Sequence, residues 1–552
     1  MSANTIRIGR REYPLRANLL DRAISYVAPT YAQQRIVSRL KMEVLASGGY
    51  TGGSKSKRSM SGWKHTQGQS ADADLLPDLD ALRDRSRDLV RNEPLACGAI
   101  NTVVTNVVGT GLMLQSQIDA EFLGMTAEEA AAWQTNTERE FAVFVRECDV
   151  ARRIDFYAMQ DIALRSTLEA GDVFVLTPML QRAGDAYALK LQLTEADRVR
   201  NPVDKRETTR FAGGIEMDEY GAPQYAHIAR VPVSDIGAIN SKTVFDRVPM
   251  FGANSGRRNV LHLCRQLRVG QTRGAPYLAP VIEPLKQLGR YTEAEVSAAV
   301  VSAFFAVFIK GNANSLSPLD SAVSGNSAGA AGDNAVSTWD GKLSPGLVAD
   351  LGPGEDIVSA NPGRPNPAFD PFVQAVLRQI GAALELPFEI LIKHYTASYS
   401  AARAAILEAW RFYRGRRAWL ASVFCQPVYE LFLEEAIARD RISAPGFFDD
   451  PRYRLAYSNA MWNGDGQGYL NPKMEAEAAQ LRLGMGLTTL KSETAEYNGG
   501  DWDSNHAQQV REHTRRMADG LDAEPAPAST AAPDGNNEAD SNANSQSNAE
   551  TS

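Results

Sequence analysis

The side chains that could do chemistry are few, and their spacing suits little of it. His65, His227, His262, His394, His506 and His513 include no H-E-x-x-H and no pair four apart, which removes the commonest helical zinc site. Cys97, Cys148, Cys264 and Cys425 lie far apart, without the paired spacing of a disulfide framework or zinc ribbon. They read as core filler in a reducing compartment. Gly325-Asn-Ser-Ala-Gly329 matches G-x-S-x-G, whose serine must sit on a strained turn between a buried strand and a helix. Both of its flanks are Gly, Ala, Ser and Asn, the composition of a loop. No G-x-x-x-x-G-K-[ST] exists to cradle nucleoside phosphates, which disfavours an ATP-driven motor. Glu128-Glu129 and Glu434-Glu435 are adjacent on helices, point in different directions, and read as solvated faces. The sequence thus offers no catalytic residue, metal centre or cofactor site, with a serine hydrolase at Ser327 as the enzymatic alternative.

Two polar features remain. Arg403, Arg411, Arg414 and Arg417 share one face of a helix predicted over Ser400–Ile437, within about a third of a turn. They could meet phosphate or a partner's carboxylates, or pair with the chain's own acids, such as Glu408. Just before that helix, Ile392 to Ser400 has no apolar period and carries Lys393, His394, Tyr395, Thr396, Ser398 and Tyr399. A polar loop of this kind suits reversible, sequence-blind contact with a nucleic-acid backbone; it could equally be an ordinary helix connection.

The elements that must position these groups are legible. A chain of 552 residues holds about three to four domains. Its 44% hydrophobic and 22% charged content and mean hydropathy of -0.29 are those of a globular protein. The net charge of -8 argues against tight non-specific grip on nucleic acid. The basic N-terminus lacks an apolar h-region, and the longest apolar run, Ala298 to Ile309, falls short of the roughly 20 residues of a membrane span, so neither a signal peptide nor a membrane segment is expected. Helices are predicted at Asp78–Arg91, from Pro94 with Leu95, Ala99, Ile100, Val103 and Val107 on one face, from the capping box Thr126/Glu129 to Cys148, and from Asp155 to Ala170. A strand is expected at Leu112–Ile118, a hairpin at Asp172–Leu180 and Ala186–Leu193, and another at Gly213–Glu216 and Gln224–Ala229, giving an α+β domain to about 265. Helix then runs from Tyr277 to Ile309, a small-residue loop over 311–336, a strand at Asp356–Ser359, and helices at Phe369–Leu386 and Ser400–Ile437. The last of these buries Ile406, Tyr413, Leu420, Phe424 and Leu431 and should bend at Pro427.

Five stretches in one order resemble the portal proteins of lambda-type tailed bacteriophages. They are Ala73-Asp-Leu-Leu-Pro77 with Ser86-Arg-Asp-Leu-Val-Arg-Asn92, Gly270-Gln-Thr-Arg-Gly274, Tyr395-Thr-Ala-Ser-Tyr-Ser-Ala-Ala-Arg403, Arg414-Gly-Arg-Arg417, and Trp462 through Leu470-Asn-Pro-Lys473 to Gly486-Leu-Thr488. Asn471 departs from the acidic residue usual there. The resemblance implies an α+β portal fold and a homo-oligomeric ring of about twelve subunits at one capsid vertex, through which double-stranded DNA is packaged and ejected. Partners implied are DNA held weakly, the terminase large subunit that carries the ATPase, major capsid and scaffold proteins and a head-tail adaptor, but no membrane. The location implied is the virion, after assembly in the host cytoplasm. By the same resemblance, 1–70 is a partly ordered arm, 71–265 the wing, 266–310 a stem helix, 311–355 the clip, and 356–391 a strand and second stem helix. Residues 392–400 are the tunnel loop facing DNA, 401–439 a long kinked helix, 440–520 the crown and 521–552 a disordered acidic tail. The four arginines would face DNA or a neighbouring subunit.

Overall fold

A computed structural model describes residues 5–8, 11–14, scattered positions from 24 to 38, 68–231, 244–304, 308–310, 356–358, 366–395, 398–468 and 471–521. The expected clip, with Ser327, and the tail after Leu521 lie outside the described residues, as does most of the arm. The chain divides into Met1–Ser70 and Ala71–Ser552. In the first unit β1 (Thr5–Ile8) pairs antiparallel with β2 (Arg11–Pro14).

The second unit mixes helix and sheet, and its local signals were obeyed closely. After α1 (Ala71–Leu75), α2 (Leu79–Asn92) ends at Glu93, and Pro94 opens α3 (Pro94–Val107) at a position where a missing N–H costs nothing. The apolar face of α3 is buried through Ala99, Ile100, Val103 and Val107. After β3 (Met113–Ser116) and α4 (Ala120–Leu123), Thr126 and Glu129 close the capping box that starts α5 (Ala127–Glu147). Asp155 accepts from the Ala158 N–H to start α6 (Phe156–Ala170).

The strands needed tertiary context. β4 (Asp172–Leu176) pairs with β5 (Gln192–Glu195), shorter and later than the hairpin expected over 172–193. Only the isolated bridge Met179↔Leu189 marks the rest. The four-stranded meander β6 (Phe211–Ala212), β7 (Ile215–Met217), β8 (Pro223–Ala229) and β9 (Phe245–Pro249) extends the second expected hairpin, and β10 (Val260–Cys264) joins the free edge of β4.

The predicted helix over 277–309 is α7 (Ile282–Phe304), entered through a 3₁₀ turn at Ala279–Val281. Its expected end is instead β11 (Phe308–Lys310), antiparallel to β12 (Asp356–Val358). An apolar run rich in Phe and Val suits strand as well as helix, and only pairing with a remote partner decides between them. Next come α8 (Phe369–Ala383), the unforeseen α9 (Phe388–Leu391) and the long helix, which is α10 (Tyr399–Leu420), a π-helical turn (Ala421–Cys425) and α11 (Gln426–Ala438). The irregularity precedes Pro427, because a proline lacks the N–H and crowds the carbonyl four residues back, at Val423.

Beyond 440 come α12 (Pro451–Ser458), β13 (Ala460–Asn463), α13 (Pro472–Gly484), α14 (Leu490–Asn498) and α15 (Trp502–Ala518). β13 pairs antiparallel with β3, and Ile442, Phe447 and Tyr457 belong to the main core. Residues 440–463 are therefore built into the α+β body as far as β13. Phe141, Phe144, Phe156, Tyr187, Phe424, Tyr429 and Phe432 fill that core, and a smaller cluster around Phe174, Ile215 and Ile228 lies against the meander.

Candidate functional site

The polar run falls where two helices turn. On its N-terminal side α9 is anchored by buried Ile390 and Leu391, and the His394 N–H donates to the Glu389 carbonyl at 3.0 Å. Lys393 takes φ +54°, a conformation that side chains other than glycine seldom adopt, so the chain leaves α9 through a strained turn. Lys393, His394, Tyr395, Ser398 and Tyr399 are all exposed; Thr396 lies outside the described residues. Ser398 occupies the N-cap of α10, yet its hydroxyl faces that of Ser400 at 3.3 Å instead of a backbone N–H. No residue of α10 is buried before Ala409. One ammonium flanked by phenols and hydroxyls, on a segment with little packing, can touch phosphates and release them.

The arginine face does not present four free cations. Arg403 donates to Glu475 at 2.6 Å, Arg411 to Glu408 at 3.4 Å, and Arg414 lies 3.8 Å from Glu496. Arg417 donates to the carbonyls of Asn106, Val107 and Asp465 at 3.0–3.1 Å, which caps the C-terminus of α3. Burial lowers the Arg417 pKa. Three of these arginines tie the long helix to other elements of the body, and the sequence could not show this because their partners are 48 to 311 residues away.

What sequence reasoning missed is a buried charge cluster beneath the sheet. Asp172, fully buried at the start of β4, accepts from Arg83 on α2 at 2.8 Å and from Arg273 at 2.6 and 3.0 Å. The Gly274 N–H and His262 Nε2 each lie 3.1 Å from the same carboxylate. Arg273 also donates to the carbonyls of Ala196, Val199 and Gly213, and Arg83 to that of Ala170. Gly270-Gln-Thr-Arg-Gly274 supplies this arrangement. The Thr272 N–H donates to Asp72 at 2.7 Å, which joins the motif to the stretch around Ala73–Pro77. A Cβ on Gly274 would lie 1.9 Å from the Gly171 carbonyl oxygen, so only glycine permits the approach. The signal was an arginine set between two glycines in one short run; its acidic partner 101 residues earlier was not visible.

Asp172, His262 and Cys264 place ligand atoms within 4.8 Å of one another. The donor set does not suit a cation: two guanidiniums already share the carboxylate, and burial pushes the Cys264 thiol up to about 12, so it keeps its proton. Burial alone would raise the Asp172 pKa, but Arg273 and Arg83 hold it well below the ordinary range; burial, against the opposing pull of Asp172, lowers that of His262. Groups depressed in the folded state contribute stability above their unfolded pKa and lose it as pH falls. Denaturant stability should thus decline below about pH 6.5 as His262 protonates, and more steeply below about pH 4. In His262→Gln the first decline should vanish; a flat profile for the wild type from pH 7 to 5 would contradict the assignment.

Glu435 corrects the reading of a solvated acidic pair. It is buried and accepts from the N–H groups of Ala188 and Leu189 at 2.6 and 2.7 Å, while Glu434 pairs with Arg454. Asn471 caps α13, its side chain accepting from the Met474 N–H at 3.4 Å, a role that needs no charge.

The structure thus joins a mixed helix-and-sheet body, a strained backbone at Lys393 and a long helix tied to that body by arginines. Residues 56–417 match the family described as phage portal protein, lambda family, so the chain belongs to that family of structural proteins. It is 27% identical over 493 residues to portal protein B of Escherichia phage lambda, covering 86% of this chain and 91% of that one. It is likewise 27% identical to the portal protein of Escherichia phage N15 over 491 residues, with the same coverage. Among solved structures, the neck of a native gene transfer agent particle computed with C12 symmetry aligns with 74% of this chain and 91% of its own, at TM-score 0.38 and 12% identity. The virion of the same kind of particle aligns with 75% and 92%, at TM-score 0.36.

Proposed function

We propose that about twelve copies of this chain close into a ring at one vertex of a phage capsid and form the channel for packaging and ejecting double-stranded DNA. The observation that carries the reading for this chain is the set of exposed residues Lys393, His394, Tyr395, Ser398 and Tyr399, with a strained backbone at Lys393 and no buried residue of α10 before Ala409, in a member of the portal family. A channel must let DNA slide, and a net charge of -8 with one lysine in the loop guides phosphates without gripping them. The regions assigned by resemblance, wing, stem, clip, tunnel loop and crown, belong to this proposal. So do a terminase, capsid and scaffold proteins and a head-tail adaptor as partners, and residence in the virion after assembly in the host cytoplasm. In this reading the chain acts without catalysis, and Ser327→Ala leaves phage yield unchanged.

Electron microscopy of the purified protein, with its native mass, tests the ring. Open-centred particles near twelve times 60.1 kDa are expected. In a phage carrying Lys393→Ala with His394→Ala, rings should form normally while packaged DNA per head falls severalfold. Normal packaging would remove the loop from the DNA path.

A further inference from the structure

Two polar atoms that are buried without a hydrogen-bond partner lie one helical turn apart on α10, Tyr413 Oη and Arg416 Nε. The arginine is the more telling. Its residue is 8% exposed, and its guanidinium carbon lies 5.1 Å from the Phe412 ring centre and 5.3 Å from that of Tyr277. Those two rings stack on one another at 6.2 Å. Among the described residues Arg416 forms no ion pair and no hydrogen bond. Arg83, Arg273 and Arg417, by contrast, have their donors committed to Asp172 or to backbone carbonyls.

Aromatic faces recover part of the cost of burying a cation, but they do not satisfy its N–H donors. Burial and the neighbouring guanidinium of Arg265 lower the Arg416 pKa to about 10, so it stays charged at neutral pH. Glu385 acts on it from a distance, without an ion pair within 4 Å. A charge kept in this state weakens the isolated protomer, and truncating one partner of a buried pair elsewhere shows how large that effect can be.

We propose that Arg416 is the receptor for an Asp or Glu carboxylate of a second copy of this chain, inserted beside Tyr277 and Phe412 when neighbouring subunits meet. The inference rests on the ring reading above. A closed ring needs two different surfaces that meet head to tail, and a planar guanidinium held beside two stacked aromatic rings gives one of them a directional, bidentate donor site. The recess favours a carboxylate over DNA. A carboxylate arrives on a thin side chain, whereas a duplex phosphate is fixed on the surface of a wide rod and cannot follow a cation that is 8% exposed.

The test compares Arg416→Met and Arg416→Lys with wild type in two measurements: thermal unfolding of dissociated protomers, and the concentration at which rings form, read by native mass. The Met variant should unfold at the same temperature or higher, because an unpaired buried charge is gone. Its ring assembly should need about tenfold or more protein. Lys should restore assembly only in part, since it lacks the planar fork. Three results would overturn the proposal: assembly at the wild-type concentration, a protomer that unfolds at markedly lower temperature, which would make Arg416 a packing residue, or normal rings with reduced DNA retention, which would make phosphate the ligand. Wild-type protein that never forms rings would instead overturn the ring reading, and this one with it.

Discussion

Asp172→Ala is expected to cost about 3–5 kcal/mol of folding stability, because it leaves Arg83 and Arg273 buried without their shared carboxylate. The loss reaches beyond one ion pair. Arg273 links β4 to the carbonyls of Ala196, Val199 and Gly213, and Arg83 brings α2 to the end of α6. Asp172→Asn keeps the shape and removes the charge, so it should fall between the wild type and the alanine variant. Urea denaturation of the three proteins separates the contributions. Replacing Asp172, Arg83 and Arg273 together with apolar residues of similar volume should recover part of the loss, since burying ions costs about as much as their attraction returns. An alanine variant within 1 kcal/mol of wild type, on the order of a surface substitution, would show that the cluster is solvated and not a keystone.

Phe432→Ala should cost about 3–5 kcal/mol, as expected of a large ring removed from a core that cannot collapse around the gap. Phe432 is fully buried on α11, with ring centres 5.2 Å from Phe141, 5.5 Å from Phe144 and 5.1 Å from Tyr187. These neighbours come from α5 and from the segment before β5, so the C-terminal half of the long helix is fixed in the α+β body. The N-terminal half is not: nothing before Ala409 is buried. Hydrogen exchange should therefore show residues 399–408 opening readily and 426–438 opening only with global unfolding, in wild type, while Phe432→Ala erases much of that contrast. Equal protection of both halves would contradict this division.

The helices were legible because their causes are local. Thr126 with Glu129, Asp155, and Pro94 each act within one turn, and the period of Ala99, Ile100, Val103 and Val107 states which side is buried. That a polar connection precedes the long helix was legible as well, since the run has no apolar period, and the five motif stretches were enough for the family. The π-helical turn before Pro427 was foreseen only as a bend, because the proline's effect is set by which carbonyl it crowds.

The rest was decided by contacts between distant residues. That β11 is a strand depends on β12, about 48 residues away; that 460–463 belongs to the body depends on β3, roughly 347 residues earlier. The arginine face was open to phosphate, to a partner's carboxylates or to the chain's own acids, and the fold used Arg403, Arg414 and Arg417 to hold its own helices together. Glu435 looked solvated and is buried under two backbone N–H groups. By itself the sequence determined the capped and periodic helices up to Ala170, the long helix and the family, because periodicity, caps and motif order are written along the chain. Which charges are spent inside the protomer and which, like Arg416, are kept unpaired was decided by the tertiary structure alone, because a charge finds its partner by distance in space and not by position in sequence.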